Sequence, residues 1–228
     1  MKIPAWVETF AYGFIGIVLG VLIIGVVSLC VRLASPIHTP RSAALALTYS
    51  GDDQASCSGT AIGPYAVLGA WHCDDNKYEL IKVNTFPVRI RLRLRDGHDH
   101  VIYLLDGVRF QHFARVRQRP LHDGEVVRVW GCPQAFYFLS RSGTYAGEDW
   151  VSGLIEVYFN SPRLQLFNYA SSHGDSGAGI FDSKSEVVAV ESAVYSHESL
   201  TLAIALPLQF TEFQLATARS FAPVESTN

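Results

Sequence analysis

Residues 171–181 read SSHGDSGAGIF and set Ser176 between Asp175 and Gly177. Gly, Asp and Ser are ordinary turn formers, so this peptide alone suits a surface turn. It equally suits a serine nucleophile held up by a tight turn, provided that a base elsewhere takes the hydroxyl proton. A candidate base lies upstream in CSGTAIGPYAVLGAWHCDD, residues 57–75. There Cys57 and Cys73 stand 16 positions apart, and Cys73 directly follows His72. A bridge between the two would fix the backbone where an imidazole needs a defined position. In the chain-entropy model a loop of that length adds about 3 kcal/mol.

Such side chains need a frame to hold them. From residue 43 onward the chain consists of short apolar runs broken by Gly, Asp, Asn and Pro, among them AALALTY, SGTAIG, EVVRVWG, EVVAVESAV and LTLAIAL. About a dozen such runs with turn signals between them predict an all-β barrel or sandwich. Only PLQFTEFQLATARSF, near the C-terminus, has the spacing of a helix. PVRIRLRLR alternates with period two, placing Val88, Ile90, Leu92 and Leu94 on one face and Arg89, Arg91, Arg93 and Arg95 on the other. A half-buried strand with a solvated basic face accounts for this stripe; contact with lipid phosphates or an acidic partner is the sharper alternative.

The 228 residues include four cysteines, too few for a disulfide-framework mini-protein and not spaced as a zinc site. Cys132 reads as a buried apolar thiol. A formal net charge of -3 gives no reason to expect nucleic acid as a partner. Residues 11–31 carry no charge and no proline, and these 21 residues would span roughly 31 Å as a helix, the hydrocarbon thickness of a bilayer. A signal peptide has a shorter apolar region of about 7–15 residues and then a small-residue cleavage site. Here Arg32 follows at once, so the reading is a retained single-pass membrane anchor rather than a cleaved signal. The flanking charges nearly balance and do not decide its orientation. The expected organisation is a flank over 1–10, a transmembrane anchor over 11–33, a linker over 34–42 and a catalytic domain over 43–228.

CSGTAIG, AWHC and GDSGAGIF together resemble the chymotrypsin-like (trypsin-like) serine peptidases, where CSGTLI, TAAHC and GDSGGP are common forms. DHVIYLLD, residues 99–106, resembles the strand that carries the acid of that family. The resemblance covers about residues 43–215. It implies two six-stranded antiparallel β-barrels with a C-terminal helix, here preceded by one N-terminal transmembrane helix. It assigns His72 as general base, Asp99 as its orienting acid and Ser176 as nucleophile, with the N–H groups of Gly174 and Ser176 as oxyanion hole and Cys57–Cys73 as a disulfide. It requires no cofactor and no metal, and implies a polypeptide substrate. The order His, Asp, Ser excludes an α/β-hydrolase, which would run Ser, acid, His.

The resemblance also has departures. Trp71 places a bulky ring beside His72 where Ala is usual. The usual Ile-Val-Gly-Gly start is missing, so Asp175 would have no freed N-terminus to pair with. The resemblance sets Ala170, His173, Glu191, Ser192 and Val194 around the pocket for the residue preceding the cut. Ala170 removes the acid of trypsin-like pockets; Glu191 could restore one, whereas Val194 could narrow the mouth. Asp96, His98 and His100 form a weaker alternative as a metal site, since two histidines at i and i+2 lack a third ligand at recognisable spacing. From a different functional class, a catalytically inactive version of the fold could serve as a membrane-tethered binding module.

Overall fold

Seven of the short apolar runs form one antiparallel sheet: β1 (Ala44–Tyr49), β2 (Ser56–Gly63), β3 (Ala66–Ala70), β4 (Leu80–Val83), β5 (Phe86–Pro87), β6 (Arg89–Arg95) and β7 (His100–Asp106). Their order is β5-β4-β1-β2-β3-β7-β6. This computed structural model describes residues 40–50, 56–74, 78–133, 138–150, 163–197 and 200–223. All of them belong to one unit, His38–Asn228. The apolar run 11–31, with its flank and residues 34–39 of the linker, lies outside the described residues, and the linker's last three residues belong to a short helical turn, Pro40–Ala43. Among those described, no helix is long and apolar enough to cross a membrane.

The second sheet contains β8 (Arg115–Val116), β9 (Val126–Gly131), β10 (Leu139–Trp150), β11 (Arg163–Asn168), β12 (Gly179–Phe181), β13 (Glu186–His197) and β14 (Leu200–Leu206). Six of these close on themselves in the order β12-β9-β10-β11-β14-β13, with β12 pairing β13, and β8 adds in parallel to β13. The expected second barrel is therefore present. The first sheet departs from expectation. It has seven strands, and no pairing between β5 and β6 closes it among the described residues. β5 is only two residues long and ends on Pro87, which has no N–H to extend the ladder.

Burial follows the pleat. β7 is buried on both faces until Asp106, as suits a strand between β3 and β6 that packs beneath further elements. One core runs from Leu47, Leu68, Ile102 and Leu104 of the first sheet into Phe181 and Val190 of the second. β6 keeps its arginines exposed, but Leu92 is 48% exposed, contrary to strict alternation. The register with β7 shifts between Ile90 and Leu92, and such a bulge turns a side chain off its face. The arginine stripe has local partners: Arg91 pairs with Asp106, Arg93 Nε donates to Asp74 at 2.7 Å, and Arg95 lies 3.9 Å over the Trp71 ring.

The C-terminal helix occupies Glu212–Ser220. Thr211 and Gln214 form a reciprocal capping box, which sets its start. The helix buries Leu215 and Ala218, and Gly63 of β2 lies so near that a Cβ there would sit 2.1 Å from the Ala218 carbonyl oxygen. Gln214 Nε2 also donates to the Arg95 carbonyl at 2.8 Å, tying the helix to the end of β6.

A buried cation ties together the ends of β8, β9 and β12. Arg117 Nη1 donates to Glu125 and, at 3.0 Å, to Asp182, while Nη2 donates to the Pro120 carbonyl at 2.8 Å. The Arg117 hydrogen bonds hold the Glu125 carboxyl down to about 2 from an ordinary 4.5. A lowered folded-state value stabilises the fold fully above about pH 4.5, and that contribution is lost as pH falls toward about 2. Urea titrations of the full chain should show the unfolding midpoint falling from about pH 5 to about pH 2. Glu125→Gln should flatten part of that fall.

Candidate active site

The site begins where β3 ends. All five residues of β3 are buried, and the chain then turns through the single 3-10 turn Trp71–Cys73. Pairing of Ala70 with His100 sets this turn against the start of β7. The Trp71 N–H donates to the Asp99 carbonyl at 2.9 Å. One oxygen of the Asp99 carboxylate accepts the His72 backbone N–H at 2.8 Å, and the other meets His72 Nδ1 at 2.7 Å. Since the carboxylate only accepts, Nδ1 is the donor, and in the neutral imidazole this tautomer presents the lone pair at Nε2. A disulfide joins Cys57 to Cys73 and ties the turn to β2. The Trp71 ring packs against the core with Arg95 stacked on its other side, which takes up the bulk that sets this chain apart next to His72.

Ser176 lies in the loop between β11 and β12. Turn bonds run from Asp175 N–H to the Ser172 carbonyl at 3.1 Å and from Ala178 N–H to the Asp175 carbonyl at 2.8 Å. Gly174 and Gly177 take φ of 95° and 87°, left-handed values that side chains resist. At Gly177 a Cβ would also lie 2.1 Å from the Ser58 carbonyl oxygen. Ser58 grips this loop from the first sheet. Its N–H donates to the Ser176 carbonyl at 2.8 Å, its hydroxyl donates to the Gly174 carbonyl at 2.7 Å, and that hydroxyl accepts the Cys132 N–H at 2.7 Å. From the other side, the Gly177 N–H donates to the Glu191 carbonyl at 2.7 Å. The N–H groups of Gly174 and Ser176 have no protein partner among the described residues.

Asp175 is fully buried, and a carboxylate at that depth needs a cation. Arg141 of β10 supplies it through a two-pronged contact with both oxygens, while the Ser172 N–H adds a bond at 2.9 Å. Nothing in LSRSGTY singles out Arg141, and its role emerges only when β10 is placed beside the serine loop. Ser58 sits inside the CSGT peptide, yet its part in holding the loop depends on residues 74 and 116 positions away.

His72 and Ser176 face the same cavity, of about 260 Å³. No hydrogen bond joins their side chains in this geometry; in substrate-free sites such contacts are often long and tighten on binding. Of the expected pocket residues, His173, Glu191, Ser192 and Val194 line this cavity. Ala170 does not: it is exposed, and its carbonyl accepts from Arg141 at 3.1 Å. A larger cavity of about 380 Å³, near Pro40, Phe113 and Glu186, is lined by no histidine.

Two residues of the metal alternative, Asp96 and His100, pair with each other, while His98 Nδ1 and His100 Nε2 are buried with no hydrogen-bond partner among the described residues. Asp96 accepts from His100 Nδ1 at 2.6 Å, from the His98 backbone N–H at 2.9 Å and from the Gln209 N–H at 3.2 Å. His98 thus contributes its backbone, and the buried Asp96–His100 pair fastens the segment before the C-terminal helix to the start of β7. Burial raises the Asp96 value, but the His100 bond and charge together with the two backbone donors outweigh it and leave the carboxyl below its ordinary value.

Comparison with known proteins places this frame. No protein-family model matches the chain, and no curated protein sequence does. Solved structures do. The active form of the Rv3671c protease from M. tuberculosis superposes with a TM-score of 0.64 at 17% identity, covering 83% of this chain and 86% of that one. The chain has a chymotrypsin-like protease fold. The MamO protease domain from Magnetospirillum magneticum gives 0.55 at 16% identity over 75% and 94% of the two chains. The HtrA-type protease AlgW with tripeptide gives 0.57 at 14% identity over 79% and 60%. In this protease fold the Arg141–Asp175 contact pins the loop that carries Ser176. Removing one partner of a buried ion pair strands the other, at a cost of about 3–5 kcal/mol. Arg141→Met should therefore lower unfolding free energy by about that much in urea titration. Arg141→Lys should recover part of the loss, since it keeps the charge and loses the fork.

Proposed function

We propose that the chain is a serine endopeptidase, held at a membrane by residues 11–31 and acting on polypeptides through an acyl-enzyme on Ser176. The observation that carries this reading is the double grip of Asp99 on His72, at 2.8 and 2.7 Å, beside a cavity shared with Ser176. With Nδ1 held by the carboxylate, Nε2 takes the Ser176 proton as Oγ attacks the substrate carbonyl carbon. The carbonyl π bond opens, and the resulting oxyanion meets the N–H groups of Gly174 and Ser176, each such donor being worth about 3–4 kcal/mol in the transition state. The imidazolium, stabilised by Asp99, returns the proton to the leaving amine as the C–N bond breaks. Water then attacks the acyl-enzyme by the same route, with His72 again as base. No step needs a cofactor.

A fluorophosphonate probe reacts only with an activated serine, so it should label the full chain and leave Ser176→Ala unlabelled. Cleavage of casein should fall about 10⁴- to 10⁶-fold in Ser176→Ala while the variant still folds. Asp99→Asn should lose about 10⁴-fold by favouring the wrong His72 tautomer. Asp96→Asn should lose far less rate, because its partners are His100 and the Gln209 backbone. Casein cleavage by Ser176→Ala at the wild-type rate would refute the assignment.

A further inference from the structure

The cavity beside Ser176 contains a carboxylate that the proposed chemistry does not use. Glu191 of β13 is one of the residues lining that cavity and is only 1% exposed. Its two oxygens accept from neutral donors, Tyr169 Oη at 3.0 Å and Ser171 Oγ. The nearby cation, Arg141, is committed to Asp175 and to the Ala170 carbonyl. Among the described residues no cationic group donates to Glu191. Burial and the negative charge of Asp175 act together to push its carboxyl up to about 7, against the pull of Ser171, Arg141 and Tyr169. Ser192 Oγ, also buried and also lining the cavity, has no hydrogen-bond partner among the described residues. Val194 also lines the cavity and is 42% exposed.

We infer that Glu191 and Ser192 form the receptor for a Lys or Arg side chain at the substrate position preceding the cut. This rests on the serine-peptidase reading of the same site. An ammonium brings three donors and a guanidinium five, against a carboxylate and a hydroxyl with acceptor capacity to spare. The pairing supplies Glu191 with the counter-ion that its own fold withholds, in a site sheltered from water where a charge-assisted bond is strong. An apolar side chain would bury Glu191 with no charge partner, which disfavours Ala or Val at this position at neutral pH. The groups facing Glu191 are Tyr169, Ser171, Asp175 and Arg141, with His72 and His173 lining the same cavity; both imidazoles repel a cation when protonated.

Two measurements on the full chain decide the matter. In the first, cut sites in a denatured proteome are profiled by mass spectrometry, with fluorophosphonate labelling as the independent check on Ser176. The expected set is dominated by Lys and Arg, and Glu191→Gln lowers the ratio of cleavage after Lys to cleavage after Ala by about ten- to a hundredfold, the span of a hydrogen bond to a charged group. In the second, p-aminobenzamidine, an amidinium that needs no turnover, is titrated by its fluorescence. Binding should weaken at least about tenfold between pH 8 and 5.5 as Glu191 takes up a proton, and Glu191→Gln should remove the part of this dependence not due to the imidazoles. A chain that labels at Ser176 but cuts only after other residues, and does not bind the amidinium, overturns the role of Glu191. A chain that binds the amidinium through Glu191 but does not label overturns the peptidase reading and leaves the cation receptor standing. If Glu191→Gln does not fold, the wild-type cut sites and pH series alone still separate these outcomes.

Discussion

One carboxylate holds both halves of a histidine. Asp99 takes the backbone N–H of His72 with one oxygen and the ring with the other, while its own carbonyl takes the N–H of Trp71. Ring direction, tautomer and the path of the turn are set together, because the backbone bonds fix where the ring starts and the side-chain bond fixes where it points. The frame for this lies one residue away, in the pairing of Ala70 with His100 between two fully buried stretches of strand. The Cys57–Cys73 bridge restrains the same turn from the far end.

The serine is held from two sheets at once. Ser58, in the first, takes hold of the carbonyls of Ser176 and Gly174, whereas Gly177 and Ala178 bond to the backbone of Glu191 in β13. A loop gripped on both sides can keep Gly174 and Gly177 at left-handed φ and leave the Gly174 and Ser176 N–H groups turned away from protein acceptors. Orientation of such donors before the reaction is worth most where water is excluded, since no reorganisation is then needed as charge develops.

Charge is distributed unevenly around the cavity. Asp99, Asp175 and Glu191 are all buried. Asp99 is bound to an imidazole and Asp175 to a guanidinium fork, whereas Glu191 has only hydroxyl donors. Arg117, which satisfies two acids at the ends of β9 and β12, presents the opposite case. There the ions are neutralised within the fold and serve stability; at the cavity one acid meets only neutral donors among the described residues.

Much of this was legible in the residues themselves. GDSG, AWHC and DHVIYLLD are contiguous peptides whose residue types are dictated by local geometry and chemistry, and each can be read without knowing its neighbours in space. The all-β character and the C-terminal helix were legible too, because period-two alternation and helical spacing act over a few residues, whereas the two-residue strands β5 and β8 were not. Tertiary structure decided whatever joins distant segments. It left the first sheet open at Pro87, turned Leu92 outward at a bulge, and moved Ala170 off the cavity wall. It also brought Arg141 to Asp175 and Ser58 to the serine loop. Partners that lie 34 and 116 positions apart leave no mark in either peptide, because a buried charge or carbonyl dictates only that some donor arrive, and the path of the chain decides which.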